Sequence, residues 1–225
     1  MNKLKKILAL ATISLASTGS VSLADSSNFS GPFIGIGHSI AGIELKGTHT
    51  DNTMVDHKTN NGAVGMIGGF AQGTAGWGVP VGDMFHVVLG ASYTPSGDAE
   101  FAAKQLSNSK EVTLKVSDLS ELYMEVGMNV TENTALFFHY GQMDGDLDVT
   151  GNDVTNVVIG MSGETVSAGL KVVTDSGWYI KAEAGTTDYD SITISNIEDA
   201  DEGSTASATA DPSIAFGALS VGYQF

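Results

Sequence analysis

The sequence predicts an all-β protein, an eight-stranded antiparallel up-and-down transmembrane β-barrel. Many segments alternate with a period of two, and one face of each is almost purely apolar while the other mixes Gly, Ser, Tyr and charged residues. The connections between these segments also alternate in length, with short turns at one end and long acidic stretches at the other. Glycine is abundant (28) and proline scarce (4), and nothing after residue 24 reaches the ~18 apolar residues of a transmembrane helix.

Six segments show the alternation clearly, and the residues involved are 85–94, 121–130, 136–141, 166–172, 178–185 and 215–225. Two weaker segments, 32–45 and 62–71, complete a set of eight. The facing of segment 32–45 stays open: either Ile34, Ile36 and Ile40 point outward together with His38, or the small residues between them do.

The predicted connections fall into three classes. Two are tight, at 131–133 and 174–177, and one is of medium length, at 72–84. Four are long and acidic: 46–61, 95–117, 144–160 and 191–212. An eight-stranded barrel needs only ~10 residues per strand to cross a membrane, and 110–118 and 189–196 still alternate. We therefore expect some strands to continue beyond the membrane as a projecting sheet.

The first residues have the organisation of a secretory signal peptide. Lys3, Lys5 and Lys6 form a positive region, a short apolar run follows, and Ser22-Leu23-Ala24 ends in small residues. We expect cleavage after Ala24, so that residues 1–24 are the leader and 25–225 form a single barrel domain. No Cys follows the apolar run, or occurs anywhere, so neither a lipoprotein anchor nor a disulfide is expected.

The charge balance limits the partners that the protein can bind. All ten basic residues are Lys. Without the three lysines of the leader, 7 Lys stand against 26 acidic residues, a formal charge of −19. A surface of this sign argues against nucleic acid as a partner. The glycine-rich stretches precede no helix, so no nucleotide is expected, and no cofactor is predicted.

A soluble barrel with an apolar interior also has eight antiparallel strands, and alternation alone does not exclude it. Three features favour the membrane barrel. Both ends of the barrel domain fall on the side of the short turns, the short and long connections lie on opposite sides, and aromatic residues gather near the short turns. These aromatic residues are Phe33, Trp77, Trp178, Tyr223 and Phe225, and together they resemble the aromatic girdle at a membrane interface.

The C-terminal pattern resembles the assembly signal of Gram-negative outer-membrane barrels. Its matching positions are Leu219, Val221, Tyr223 and Phe225, and the opening "GPFIGIG" at 31–37 is similar to the first strand of such proteins. Over essentially the whole mature chain, the sequence resembles the small OmpA/OmpX-type family. The resemblance implies an outer-membrane location and recognition of Phe225 and its strand by the barrel-assembly machinery. Unlike for OmpA, no peptidoglycan-binding domain is expected after the last strand.

If the apolar faces meet lipid, a set of ionisable residues must face the interior. These are His86, Glu121, Glu125, His139, Lys171, Lys181 and Glu183. A lysine at the membrane midplane would otherwise cost ~2–4 kcal/mol, and buried charges need partners. Because eight strands leave an interior about wide enough for side chains, a filled structural core is favoured. The alternative is a narrow ion path, for which the interior Gly and Ser residues leave room.

No catalytic arrangement emerges from the sequence, and we expect no enzyme. His38 and Ser39 are adjacent, which is the wrong spacing for a pair on one strand face, and His139 has no Ser two residues away. Asp144, Asp146 and Asp148 have calcium-ligand spacing, but Val149 stands where an EF-hand loop needs Gly. At most, these three residues form a weak cation-binding loop that bridges to lipopolysaccharide phosphates.

Three functions remain in order of preference. The first is a structural or surface-interaction role through long acidic extracellular loops, and the second is a narrow channel for ions or small solutes. The third is a lipid-modifying enzyme. The expected partners are outer-membrane lipid, lipopolysaccharide and the barrel-assembly machinery, and the protein is expected to be a monomer. A general diffusion porin is excluded because it needs ~16 strands.

Overall fold

The computed structural model describes residues 26–52, 57–94, 99–106, 110–151, 157–198 and 205–225. The predicted leader lies outside these residues. The elements are a 3₁₀ turn, η1 (Ser26–Phe29), and ten strands: β1 (Gly31–Asn52), β2 (His57–Val81), β3 (Phe85–Thr94), β4 (Ala99–Leu106), β5 (Lys110–Thr131), β6 (Thr134–Gly151), β7 (Val157–Val173), β8 (Trp178–Tyr189), β9 (Ile192–Glu198) and β10 (Thr205–Gln224). Within the described residues, no helix has the length and hydropathy to cross a membrane.

The strands form a closed antiparallel ring, β1-β2-β3-β5-β6-β7-β8-β10, which β10 completes by pairing with β1. The two remaining strands extend members of this ring. β4 follows β3 along the edge of β5, and β9 follows β8 along the edge of β10. Each of these two pairs is thus one interrupted barrel strand, and the predicted eight-stranded fold is confirmed.

The register of the ring sets its tilt. A path that steps from each residue to its directly paired residue on the next strand starts at Phe33 of β1 and goes once around the barrel. It returns to β1 at Ile43, ten positions further along, and this offset is the stagger of the barrel. The residues on this path are Phe33, Gly76, Gly90, Tyr123, Gly141, Thr165, Thr187, Ile214 and Ile43. A stagger of this size in eight strands corresponds to a strand tilt of about 40°, which lies in the range of membrane barrels.

The outer face of the barrel carries a belt of exposed apolar side chains. In β1, Ile34, Ile36 and Ile40 are 57%, 69% and 64% exposed, and His38 points outward with them. This settles the facing that the sequence left open. Between Phe33 and Ile43, the inner face of the same strand carries small residues, and Tyr179 covers Gly35 while Ser220 covers Gly37.

The short-turn end carries the predicted aromatic girdle, with one correction. Trp178 packs edge-to-face on Tyr223 at 5.6 Å between ring centroids, and Tyr223 packs on Phe225 at 4.9 Å. Trp77 is also exposed. Phe33 is only 7% exposed and faces the interior, so its assignment to the girdle was wrong, because the inward face of β1 begins at this residue.

One prediction about the connections was also wrong. Residues 73–81 belong to β2 and pair with β3, which leaves a turn of only three residues at 82–84. In this stretch, Gly76 and Gly78 admit the ring of Phe33 and the backbone of Phe29 against the sheet. The expected continuation of strands into the long connections is present, and it involves β1, β2, β5, β6 and β7.

The composition of the interior changes along the barrel axis. Near the short turns it combines charged and polar side chains with a smaller group of buried apolar residues: Phe29, Phe33, Val88, Tyr123, Ala135, Val173 and Tyr179. At the other end it holds a larger group of buried residues, which we call the apolar cluster: Ala41, Ile43, Met66, Phe70, Val116, Leu119, Leu147, Met161, Tyr189, Ile192 and Ile214. At this end the outer face carries exposed Glu44, Asp144 and Asp188. A barrel that leaves the membrane meets water on its outside, so its apolar residues must turn inward. The predicted projecting sheet is therefore the second half of the same barrel.

Candidate functional site: the barrel interior

Large side chains fill the polar half of the interior and cover its glycines. A Cβ added at Gly90 would collide with the ring of Tyr123, and one at Gly127 with the ring of His86. Gly222 is covered in the same way by Tyr179. The interior glycines therefore make room for rings from neighbouring strands. Their interpretation as the lining of an open path was wrong.

Five of the seven predicted interior residues form one connected group, which we call the interior network: Glu121, Glu125, His139, Lys181 and Glu183. His139 lies between two carboxylates, with Nε2 3.0 Å from Glu121 Oε1 and Nδ1 3.1 Å from Glu125 Oε1. Lys181 donates to Glu125 and lies 3.2 Å from Glu183 Oε2. The five residues come from β5, β6 and β8, of which β5 and β6 are neighbours while β7 lies between β6 and β8. Each of these three strands turns its charged side chains inward.

Hydroxyl groups and rings complete the surroundings of the interior network. Ser92 donates to Glu121 at 3.1 Å and Ser167 to Glu183 at 3.3 Å. Tyr123 stacks on the His139 ring at 4.6 Å between centroids. The Lys181 ammonium lies over the Phe137 ring at 4.6 Å, which adds a cation–π interaction in a desolvated site. The network is thus held by partners on several sides.

The two remaining predicted residues, His86 and Lys171, lie nearer the short turns. His86 Nδ1 contacts Asn129 Oδ1 at 2.8 Å, and Lys171 donates to Gln224 Oε1 at 2.9 Å. The Lys171 ammonium also lies 4.8 Å from the centroid of Phe33 and 4.5 Å from that of Tyr179. Lys171 therefore binds an amide and two rings where the sequence suggested an ion pair.

The charges of the interior balance when His139 carries a proton. The interior network has three carboxylates, with Lys181 and His139 as their contacting cations, and Lys171 adds a third positive charge nearer the short turns. A neutral imidazole has one N–H, so it satisfies only one of two carboxylates. Both ring nitrogens of His139 lie within hydrogen-bond distance of a carboxylate oxygen, an arrangement that suits the imidazolium form.

The interior network includes three side chains that are potential metal ligands. Ligand atoms of Glu125, His139 and Glu183 lie within 4.8 Å of one another, which is close enough for one ion. However, the Lys181 ammonium already contacts both carboxylates, and both nitrogens of His139 are used. We therefore assign the group as an ion-pair network, since the ammonium occupies the place that a metal would take.

The N-terminal segment closes the barrel at the short turns, a feature that sequence reasoning missed. Ser26 Oγ donates to the carbonyl of Gly82 at 2.8 Å, and Asn28 Nδ2 donates to that of Glu132 at 3.0 Å. η1 thus spans from the β2–β3 turn to the β5–β6 turn. Phe29, at its end, is fully buried and stacks on His86 at 4.8 Å between centroids. An apolar residue just before the first strand was the available signal.

Gln224 connects this segment to the last strand. Its amide nitrogen donates to the carbonyls of Ser30 and Gly31 at 3.0 and 2.9 Å, while its oxygen accepts from Lys171. In the sequence, Gln224 lies on the face of the final segment opposite Tyr223 and Phe225. Its position between two outward aromatic residues was the signal for an inward polar contact.

A small cavity separates the interior network from the apolar cluster. Its volume is about 30 Å³, and its lining includes Glu121, His139, Glu183, Thr165 and Thr187. This is room for about one water molecule. A continuous aqueous path needs much more space, so the cavity is a break in packing within a filled interior.

The predicted cation-binding loop is part of a strand. Asp144, Asp146 and Asp148 lie within β6, on its outer face. Asp144 accepts from Ser162 Oγ at 2.7 Å and Asp148 from Ser117 Oγ at 3.5 Å. Alternate residues of a strand are about 7 Å apart, so the three carboxylates cannot wrap one ion as a loop does. The loop assignment was wrong, and weak cation binding stays a prediction.

The remaining residues singled out in the sequence are the adjacent His38 and Ser39 and the four positions of the C-terminal pattern. His38 points outward and Ser39 is buried inside the barrel, so the two do not form a catalytic pair. Leu219, Val221 and Phe225 are exposed on the outer face of the last strand at 58%, 44% and 70%. Tyr223 shares this face through its contact with Trp178. Their role as an assembly signal stays a prediction.

Comparison with known proteins shows similarity of fold and no similarity of sequence to a known family. No family model matches the chain, and no curated protein matches it. Among solved structures, the chain is similar to Ail, the attachment invasion locus protein of Yersinia pestis, at 9% identity, with 80% of this chain and 98% of that chain covered and a TM-score of 0.37. It is also similar to Neisserial surface protein A (7%, 83% and 97%, TM-score 0.39).

A third similar structure is the outer membrane protease OmpT from Escherichia coli (8% identity, 86% and 97% covered, TM-score 0.40). Superpositions this loose carry no functional argument, so the assignment of the fold rests on the closed strand pairing and the exposed apolar belt. The chain has the fold of a small eight-stranded outer-membrane β-barrel.

Proposed function

We propose that this protein is a sealed outer-membrane barrel that holds a projecting β-structure at the cell surface for contact with other molecules. The observation that carries the proposal is the filled interior. A barrel that passes no solute acts through the surface that it exposes to water. Here that surface is the half of the barrel whose apolar residues point inward.

Three successive layers support a sealed interior. η1 with the buried Phe29 covers the end at the short turns. Above it, the interior network and its rings occupy the polar half. The apolar cluster then fills the projecting half. An ion would have to displace charged partners and cross an apolar layer, which is costly for desolvated charge.

The acidic outer face supports a role at the surface. Exposed carboxylates of the projecting half include Glu44, Asp144, Glu164, Asp188 and Asp190. Charge of one sign on an exposed surface steers the approach of partners of opposite charge and repels others. We also propose that the protein contacts lipopolysaccharide, that the barrel-assembly machinery recognises it, and that it is a monomer. That the protein is not an enzyme stays a prediction.

Conductance of the refolded mature chain, residues 25–225, in a planar bilayer tests the proposal. A gel shift between boiled and unboiled samples first establishes that the barrel is folded. We expect no stable openings across a range of voltage and salt. Stable openings of the unmodified protein that change in Glu125→Gln or Lys181→Met would contradict the proposal, and would establish a channel through the interior network.

A further inference from the structure

The projecting half of the barrel has a seam where two neighbouring strands separate. The ladder between β7 and β8 ends at Gly163 and Tyr189, and one further bond joins the Asp190 amide to the Ser162 carbonyl at 2.9 Å. Beyond this point β9 pairs with β10 and β7 with β6. Among the described residues, no ladder joins β7 to β9. The other interrupted strand differs, because its second half, β4, lies alongside its neighbour β2.

Among the residues that the structure describes, part of β7 has no ladder partner on the side that faces the seam. In an antiparallel sheet, successive residues turn their N–H and C=O groups to opposite neighbours. The Ser162 carbonyl points to the β8 side and the Val173 amide points to the β6 side. By this alternation, the backbone groups of Gly160 and Val158 face the seam. An edge of this kind is a template for another extended chain.

The side chains beside the seam determine which residue types an added strand would need. On the inner side, Ile159, Met161 and Ile192 belong to the apolar cluster or pack on it. On the outer side, Asp144, Glu164 and Asp190 are exposed and acidic, and Val158 is 67% exposed. A strand presents one face inward and one outward, so a complementary strand alternates apolar and basic residues.

We propose that an extended polypeptide segment with alternating apolar and basic residues adds as a strand at the seam between β7 and β9. Its backbone bonds to the edge of β7 at Val158 and Gly160. Its apolar side chains pack on the apolar cluster, and its basic side chains meet the carboxylates of the outer face. This inference rests on the proposed surface role and names the chemistry of the partner.

A synthetic peptide tests the inference. The probe is acetyl-(Lys-Val)₄-amide, and its binding to the refolded full barrel in detergent is measured by titration calorimetry. Two matched peptides serve as controls: one with Glu in place of Lys, and one N-methylated at alternate residues so that one edge cannot donate. We expect binding of the probe that weakens with salt, and a loss of about ten-fold or more with either control.

Variants locate the site. Gly160→Pro removes a seam-facing amide while leaving the ladder to β6 intact, because proline is tolerated where the N–H faces outward from an edge. We expect this variant to bind the probe about ten-fold more weakly. Glu164→Gln with Asp190→Asn is expected to weaken binding and reduce its salt dependence, whereas Glu44→Gln on β1 leaves it unchanged. The gel shift on boiling establishes that each variant is folded.

Equal binding of the N-methylated peptide, or of the probe to Gly160→Pro, would overturn strand addition and leave only charge attraction. Binding of the acidic peptide would overturn the assigned chemistry. Self-association of the barrel that Gly160→Pro abolishes would also overturn the inference, since the occupant is then a second copy. These results leave the conductance experiment unaffected, so failure of the inference is distinguishable from failure of the proposed function.

Discussion

Lys171 and Lys181 stand directly opposite each other on β7 and β8, yet their ammonium groups extend to different parts of the interior. Lys181 reaches Glu125 and Glu183, whereas Lys171 reaches Gln224. Two like charges at paired positions repel when they share a site. Their separation places one cation in the interior network and the other at the closed end, so the two lysines are expected to differ in what their removal does.

Removal of Lys181 is expected to leave Glu183 without a cation and Glu125 with His139 as its remaining one. Lys181→Met should lower the free energy of unfolding by about 3–5 kcal/mol, because an uncompensated buried charge is costly. Glu125→Gln in the same chain should restore part of the loss. The measurement is urea unfolding in lipid vesicles, followed by tryptophan fluorescence.

The control for this prediction is the exposed pair of Lys46 and Glu44, whose side chains are 67% and 48% exposed. Lys46→Met should change stability by no more than about 1 kcal/mol. Equal effects of Lys181→Met and Lys46→Met would refute the interpretation of the interior network as a buried ion-pair group.

Gln224 is expected to fasten the last strand to the N-terminal segment. Gln224→Leu removes the bonds to Lys171, Ser30 and Gly31, and should cost about 2 kcal/mol or more because buried partners are left unsatisfied. The temperature at which the folded band disappears on a gel should fall. Gln142→Leu, at an exposed position of β6, is the matched control, and a similar fall in both variants would contradict the role of Gln224.

The interior glycines can be tested with single methyl groups. Gly127→Ala should destabilise the barrel by about 1–3 kcal/mol, since the new Cβ meets the His86 ring. Gly217→Ala is the control, because nothing lies within 4 Å of a Cβ at that position. Urea unfolding of the two variants should therefore differ. If Gly127→Ala is as stable as the unmodified protein, the interior has spare room and the channel alternative gains weight.

Phe29 tests whether the closed end is the barrier to conduction. Phe29→Ala should cost about 3 kcal/mol or more, because the side chain is fully buried, whereas Val81→Ala at a half-exposed position should cost less. We expect no conductance from either variant, since the interior network and the apolar cluster remain. Openings of Phe29→Ala alone would assign the gate to η1.

Most of the fold could be predicted from the sequence because facing in a strand follows a period of two. The inward position of Glu121, Glu125, Lys181 and Glu183 was correct, since the opposite residues of the same strands are all apolar. The end of β2 was placed incorrectly, because Gly76 and Gly78 have the composition of a loop. These two positions are small because the ring of Phe33 and the backbone of Phe29, both remote in sequence, pack directly against them.

By itself, the sequence determined the eight-stranded barrel, the apolar belt and the set of interior charges, because each depends on local alternation along one strand. Only the tertiary structure decided which charges meet, that η1 closes the barrel, that the acidic triplet of β6 is strand, and that β7 and β9 separate. These features depend on the stagger between strands, which brings residues far apart in sequence to one level of the barrel. That stagger is a property of the closed ring, and no single strand carries it.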